Sequence, residues 1–290
     1  MDRPIRNGAG WLALCPVHGD RKPSLSIHDG DDGKIFIKCF GGCSFVDLRE
    51  ELQGRGLWEG DSSNRPAPPK AQPILDRSRL LDRLWNGAHP VGQASVVSRY
   101  LAVRGIELND WPQDLREHPA LVVYEDGKRT NKTYPAMLAA IRNMEGRPAG
   151  LHITFIKSDG SGKAPIDSPR KIIGLKEGST RGGTVRLMEP IDGVIGIAEG
   201  LETALSAYLL TNTPVWSCLN SGGLERAILP GDIKRVIVFA DRDCAGLKAA
   251  ANACERFRRE GRECEIMAPD GWKQDFNDIL QKENAHPVAS

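Results

Sequence analysis

No apolar run in this 290-residue chain approaches the roughly 18 residues that a membrane-spanning helix needs. The N-terminus, MDRPIRNGAGW, has no apolar core of the kind a secretion leader carries. Both absences point to a cytoplasmic protein without a membrane partner, so the seven cysteines are expected as reduced thiols or metal ligands. An excess of one charge is lacking too, since 39 basic residues stand against 38 acidic ones. Any contact with nucleic acid must therefore rest on local basic patches. There is no internal repeat, no long charge block, and no GxxxxGKS or GxxxxGKT phosphate loop, so no ATP-driven motor is expected within the chain.

What is present fits a globular protein, with 40% hydrophobic and 27% charged residues. The length suits one domain of roughly 150 to 200 residues plus a smaller one. Composition breaks sharply at EGDSSNRPAPPKAQP, where four prolines and small polar residues replace any periodicity. Residues 59–74 are read as a linker. Before it, residues 1–58 form a small unit in which GWLALC, SLSIH and KIFIKC read as short strands. SFVDLREELQ then reads as a helix, with Ser44 and Asp47 at the spacing of a capping box and Phe45, Leu48 and Leu52 on one face.

After the linker, residues 75–189 read as a helical and mixed α/β region. RSRLLDRLWNGA and VVSRYLAVRGI have the helical period, while AMLAAIRN and GLHITFIKSDGSGK look like hairpin strands with turns at MEGRP and SDGSG. From about residue 190 to residue 282 strand and helix alternate: GVIGIA, LETALSAYLL, VWSCL, RVIVFA, GLKAAANACERFRRE and ECEIMA. Residues 283–290 form a tail. Continuous apolar strands joined by helices imply a mostly parallel sheet covered on both faces, an α/β fold.

Ligands in such sheets bind beyond the carboxyl ends of the strands. Glu199 follows GVIGIA, Ser221 lies just past VWSCL, and Asp241 and Asp243 follow RVIVFA. KQDFNDIL adds Asp275 and Asp278 near the same edge. Two aspartates one residue apart repel each other unless a hard divalent cation sits between them, and magnesium or manganese suits such a site. Each acid also has a structural alternative: Asp241 and Asp243 as a turn and helix N-cap, Glu199 as a charge at a helix start.

The order of AEG after one strand, DRDCAG after another about forty residues later, and DFNDIL near the end resembles the Toprim domain of primases, topoisomerases and some nucleases. EGLETALS is most similar to Toprim primases of phages, plasmids and integrated elements. The resemblance implies Glu199 as a general acid or base or a metal ligand, and Asp241 and Asp243 as magnesium ligands. Asp275 or Asp278 would supply the third acidic position.

A second constellation stands at the front. CPVHGDRKPSLSI and KCFGGC place Cys15, His18, Cys39 and Cys43 as two close pairs on short strands and turns. That spacing suits a closed tetrahedral zinc site supporting a unit too small to build its own core. The alternative is cysteines packed as small hydrophobes. His28, in a strand-like stretch, is not counted as a ligand, and Cys218, Cys244, Cys254 and Cys264 are scattered singly. The front unit resembles the zinc ribbon of prokaryotic and phage primases over about residues 10–54. In that family it helps to engage the template, which here offers Lys34 and Lys38 for phosphates and Trp11, Phe36 and Phe40 for base stacking, Phe36 being equally suited to the core.

Between the two, GSGKAPIDSPRKIIG and STRGGTVRL place Lys163, Arg170, Lys171, Arg181 and Arg186 among glycines and turns. These cations are either solvated loop charges or contacts for triphosphate and template, and Lys163, Arg170, Lys171 and Ser221 are the candidates carried forward. The functional expectation is a magnesium-dependent DNA primase of a phage or mobile element, with single-stranded DNA, nucleoside triphosphates and a separate replicative helicase as partners. A Toprim nuclease and a non-catalytic zinc-ribbon DNA-binding protein are the rivals.

Overall fold

The computed structural model describes residues 4–7, 10–18, 20, 23–29, 35–58, 76–125 and 128–285. The expected linker, Lys34 and residues 286–290 of the expected tail lie outside the described residues. The chain divides into two units, Met1–Ala71 and Gln72–Ser290.

The first unit is an antiparallel sheet of β1 (Ile5–Asn7), β2 (Gly10–Ala13), β3 (Leu25–Asp29) and β4 (Ile35–Cys39), in that order. β1 was not expected, because three residues are too few to show a period. Helix α1 (Phe45–Gly54) follows. Its capping box forms as read: the Asp47 N–H donates to Ser44 Oγ at 3.2 Å, and the Ser44 N–H to the Asp47 carboxylate at 3.3 Å. The fully buried core is Cys15, Leu25, Cys39 and Leu48, and two of those four are cysteines. So small an apolar cluster needs a second source of stability.

In the second unit, α2 (Ser78–Asn86), β5 (His89–Pro90) and α3 (Val96–Val103) precede β6 (Leu115–Glu125), β7 (Lys128–Arg142), β8 (Pro148–Phe155), β9 (Arg170–Gly174) and β10 (Thr184–Arg186). Then come β11 (Val194–Ala198), α4 (Leu201–Thr211), β12 (Val215–Ser217), α5 (Ser221–Arg226), β13 (Arg235–Phe239), α6 (Cys244–Arg259), β14 (Glu263–Met267) and α7 (Phe276–Ala285). Among the described residues these strands make one ten-stranded mixed sheet. Its parallel part runs β14-β13-β11-β12. β10 pairs antiparallel with both β12 and β7, so the sheet continues from the alternating segment into the hairpins before residue 190. Short strands such as β10 carried no readable period, which is why that continuity was not expected.

The parallel part is covered on both faces. Ile195, Ile197, Val236 and Val238 point to one side with Ala249, Ala250, Ala253 and Phe257 of α6. Ala198, Ile237 and Phe239 point to the other, with Leu201, Ala204 and Leu205 of α4 and Phe276 and Leu280 of α7. Gly196 belongs to this second face, where a Cβ would lie 2.6 Å from the Phe239 ring. The missing side chain lets Phe239 meet Phe276 edge to face at 5.1 Å, a contact of about 0.5–1.5 kcal/mol beyond simple burial. That contact seats the start of α7 beside the end of β13. No helix among the described residues is long and apolar enough to cross a membrane.

Candidate functional site

The acidic rim is built by the strand ends. Ala198 and Phe239 are registered side by side in the parallel pair β11–β13, so Glu199 and Asp241 emerge at one edge. The 241–243 loop is held by backbone bonds to the loop before α7: Arg242 N–H to Gln274 O and Lys273 N–H to Arg242 O, each 2.8 Å. Lys273 takes a left-handed backbone (φ 61) there, as does Leu219 (φ 72) beyond β12. Such strain in bulky residues clusters where a surrounding site over-determines the chain. Asp241, Asp243, Asp275 and Asp278 line a cavity of about 350 Å³ at this edge. A larger cavity of about 530 Å³, bordered by Trp111, Arg142, Arg186 and Tyr208, contains none of them.

Asp241 is the centre of repulsion. Its carboxyl is pushed up to about 7, first by burial and then by the charges of Glu199, Asp275, Asp243 and Asp278. Its Oδ1 is buried and has no hydrogen-bond partner. Glu199 is raised by burial, relieved by the Ser221 backbone N–H and Arg170, and raised again by Asp243. A buried oxygen with no donor among five carboxyl groups fits a divalent cation, which would supply both the missing partner and the neutralising charge.

The structural alternatives for these acids hold as well. Asp243 caps α6, its Oδ1 accepting the Gly246 N–H at 2.7 Å. Asp275 and Asp278 exchange backbone bonds at the start of α7, Asp278 N–H to Asp275 Oδ1 at 2.9 Å and Asp275 N–H to Asp278 Oδ2 at 3.0 Å. Asp275 is half-buried, and burial pushes its carboxyl up, whereas Asp278 is exposed. Of the two, Asp275 acts more strongly on Asp241.

The cations separate by strand face. Arg170, at the start of β9, acts on Glu199, Tyr100 and His152. Lys171, one residue on, turns away and donates to the Tyr124 carbonyl on β6. The period of two in a strand puts neighbours on opposite faces, so Lys171 does not join the cluster expected of it. Lys163 joins through Glu202, 3.6 Å away, and the Tyr100 hydroxyl donates to the same Glu202 oxygen at 2.6 Å. Glu202, Tyr100, Arg104 and His152 are not among the residues expected from the sequence; His152 is buried with Nδ1 unpartnered. Only the second acid of EGLET was visible as a signal.

In the first unit, the ligand atoms of Cys15, His18, Cys39 and Cys43 lie within 4.8 Å of one another. Cys43 Sγ is 3.8 Å from Cys15 Sγ and 3.0 Å from His18 Nδ1. Three thiols and an imidazole form a donor set that fits structural zinc. Burial raises the thiols, and Cys43 is raised further by Cys15 and Cys39, whereas the Cys43 and Gly41 N–H groups and the Ser24 hydroxyl bring Cys39 below its ordinary value; a bound cation would relieve the crowding of the thiols.

Asp20, absent from the sequence reading, orders the set. Its Oδ1 is 2.6 Å from His18 Nε2, which leaves Nδ1 facing the sulfurs, while Oδ2 accepts from the Cys15 N–H (2.9 Å) and the Ser24 hydroxyl (2.6 Å). Carboxylate support of this kind fixes the tautomer of a ligating histidine. At position 41 a Cβ would lie 2.6 Å from the His18 ring, so the KCFGGC turn needs its first glycine. Lys38 is exposed, 5.6 Å from the ring of exposed Phe40, and Phe36 is exposed with its ring stacked on His28. That places Phe36 outside the core.

A family model described as a Toprim domain matches residues 194–286. The chain carries a Toprim domain. A second model, described as a domain of unknown function (DUF7146), matches residues 75–187. No curated protein matches the sequence. Among solved structures, the chain is similar to the zinc-binding and RNA polymerase domains of the Aquifex aeolicus primase (17% identity, TM-score 0.47, covering 97% of this chain and 77% of that one). It is also similar to the primase fragment of the bacteriophage T7 primase-helicase protein (14%, 0.42, covering 95% and 99%). The E. coli primase catalytic core is a third (16%, 0.44, covering 71% and 75%).

Proposed function

We propose that this chain is a DNA primase of a phage or mobile element, joining nucleoside triphosphates into short primers on single-stranded DNA. The reading is carried by Asp241, whose buried, partnerless oxygen sits among Glu199, Asp243, Asp275 and Asp278 at one edge of a Toprim domain. Asp241, Asp243 and Asp275, with Glu199, would hold magnesium or manganese, which when bound stabilises charge on the attacking and leaving oxygens of a phosphoryl transfer. Glu199, raised by burial, is suited to take a proton from the attacking hydroxyl.

Arg170 and Lys163 provide the positive side of the site and would meet the triphosphate or template. The zinc group would keep the small first unit folded, leaving Lys38 and the exposed Trp11, Phe36 and Phe40 for a single strand. A zinc-ribbon unit joined to a Toprim domain favours primer synthesis over strand cleavage, and a helicase would come from a separate protein.

The test is primer synthesis on single-stranded templates with labelled nucleotides and magnesium, comparing the intact protein with an Asp241→Ala, Asp243→Ala double variant. Short products that vanish in the variant support the reading. Degradation of the template by the intact protein would replace it with a nuclease.

A further inference from the structure

Glu202 lies three residues beyond Glu199, in the first turn of α4, where a carboxylate normally faces solvent and the helix dipole. Here its side chain is only 13% exposed and turns toward α3 and the connection between β8 and β9. One oxygen, Oε1, receives the Tyr100 hydroxyl at 2.6 Å and faces Lys163 Nζ at 3.6 Å. Burial pushes the carboxyl up, but Lys163 and Tyr100 together hold it below its ordinary value, so it is an anion there.

We propose that Glu202 is a positioning residue of the nucleotide site, with Tyr100 as its brace: it holds the Lys163 ammonium beside the acidic rim, facing the phosphates of the incoming nucleotide. The inference rests on the primase reading and adds a role to it. The backbone that carries Lys163 is already fixed. In its turn Gly160 adopts φ +80 and packs against α3, where a Cβ would lie 2.8 Å from Arg99 Cβ and 3.2 Å from the Tyr100 nitrogen. What is left free is the four-carbon lysine stem, and the Glu202 carboxylate restrains it.

The neighbours of the pair support a role beyond stability. Lys163, Arg170 and Glu202 all act on His152, and Arg170 acts on Glu199 as well, so the pair adjoins the rim through Arg170.

The experiment is a double-mutant cycle on nucleotide binding by the full chain, using a fluorescent nucleoside triphosphate with magnesium and following anisotropy. Thermal unfolding of each variant is recorded alongside. Glu202→Gln and Lys163→Ala are each expected to weaken binding about tenfold, as for loss of a charge-assisted contact. The double variant should bind no more weakly than Lys163→Ala alone, because the carboxylate acts only through the lysine. Binding by Glu202→Gln equal to the intact protein, or losses that multiply in the double variant, would overturn the inference.

Should Glu202→Gln fail to fold, Tyr100→Phe keeps the ion pair while removing the brace. It should weaken binding about twofold to fivefold, and again without effect when Lys163 is alanine. Unchanged binding by Tyr100→Phe, or an effect that persists without Lys163, counts against the inference. A folded intact protein that binds no nucleotide sinks the primase reading itself, and this proposal with it. An intact protein that binds normally but shows an additive cycle sinks only the positioning role.

Discussion

Glu199 and Asp241 leave adjacent parallel strands one residue apart in level, and Glu199 is the charged neighbour that acts most strongly on Asp241. The pair forms because Ala198 and Phe239 are in register, so Glu199 stands beside Ala240 and Asp241 follows one residue later at the same edge.

Stability without metal should depend on pH. Asp241 titrates at about 7 in the folded protein against an ordinary 3.8. Between these values the folded protein keeps a proton that the unfolded chain has released, so stability falls as pH rises through the window, by roughly 1–2 kcal/mol once solvent screening of the partly exposed carboxyl is counted. Urea unfolding in a metal chelator should show that slope, and it should flatten in Asp241→Asn. Magnesium should flatten it as well by binding the ionised set. An unchanged slope in the variant would remove Asp241 as its source.

Zinc retention should depend on Asp20 although Asp20 is no ligand. Asp20→Asn should cost about 10- to 100-fold in zinc affinity, since His18 loses the carboxylate that fixes its tautomer. Gly41→Ala should act similarly, because its methyl group would meet the His18 ring. Competition with a chromogenic chelator reads both effects. Equal retention by Asp20→Asn and the unaltered protein would deny Asp20 its role.

Neighbouring cations on β9 should behave differently. Arg170 acts on Glu199, whereas Lys171 is bonded to the Tyr124 carbonyl on another strand. Arg170→Ala is expected to reduce primer synthesis at least about tenfold and Lys171→Ala less than about twofold, the difference between a charge-assisted contact and a surface one. Initial rates on one template measure it, and equal losses would refute the division by strand face.

Asn277 should be a fold residue within the acidic segment. Buried on α7, it donates to Arg104 O at 2.7 Å and Ser206 Oγ at 3.0 Å, tying α7 to the end of α3 and to α4. Asn277→Ala strands these acceptors and should cost about 1–3 kcal/mol by urea unfolding. Because the same helix seats Asp275, magnesium affinity should weaken too. A variant as stable as the parent would contradict the bridge.

Local patterns settled a good part of this protein. Ser44 and Asp47 at capping-box spacing, the apolar strands ending in Glu199 and Asp241, and the CPVH and CFGGC turns all act within a few residues, where period and turn chemistry are readable. The contacts that complete the sites are remote. Tyr100 meets Glu202 across 102 positions, and Asn277 reaches Arg104 across 173.

No period in EGLET says that its second acid turns inward, and none in RKIIG says which of two adjacent cations faces the rim. By itself the sequence determined the alternation of strand and helix, the two sets of candidate metal ligands and the edge to which the acids go, because neighbouring residues dictate those features. The tertiary structure decided that the hairpins and the parallel strands share one sheet, that Asp20 serves His18, and that Glu202 engages Lys163. Each of those depends on pairing between distant segments, which burial and register select only once the whole chain has folded.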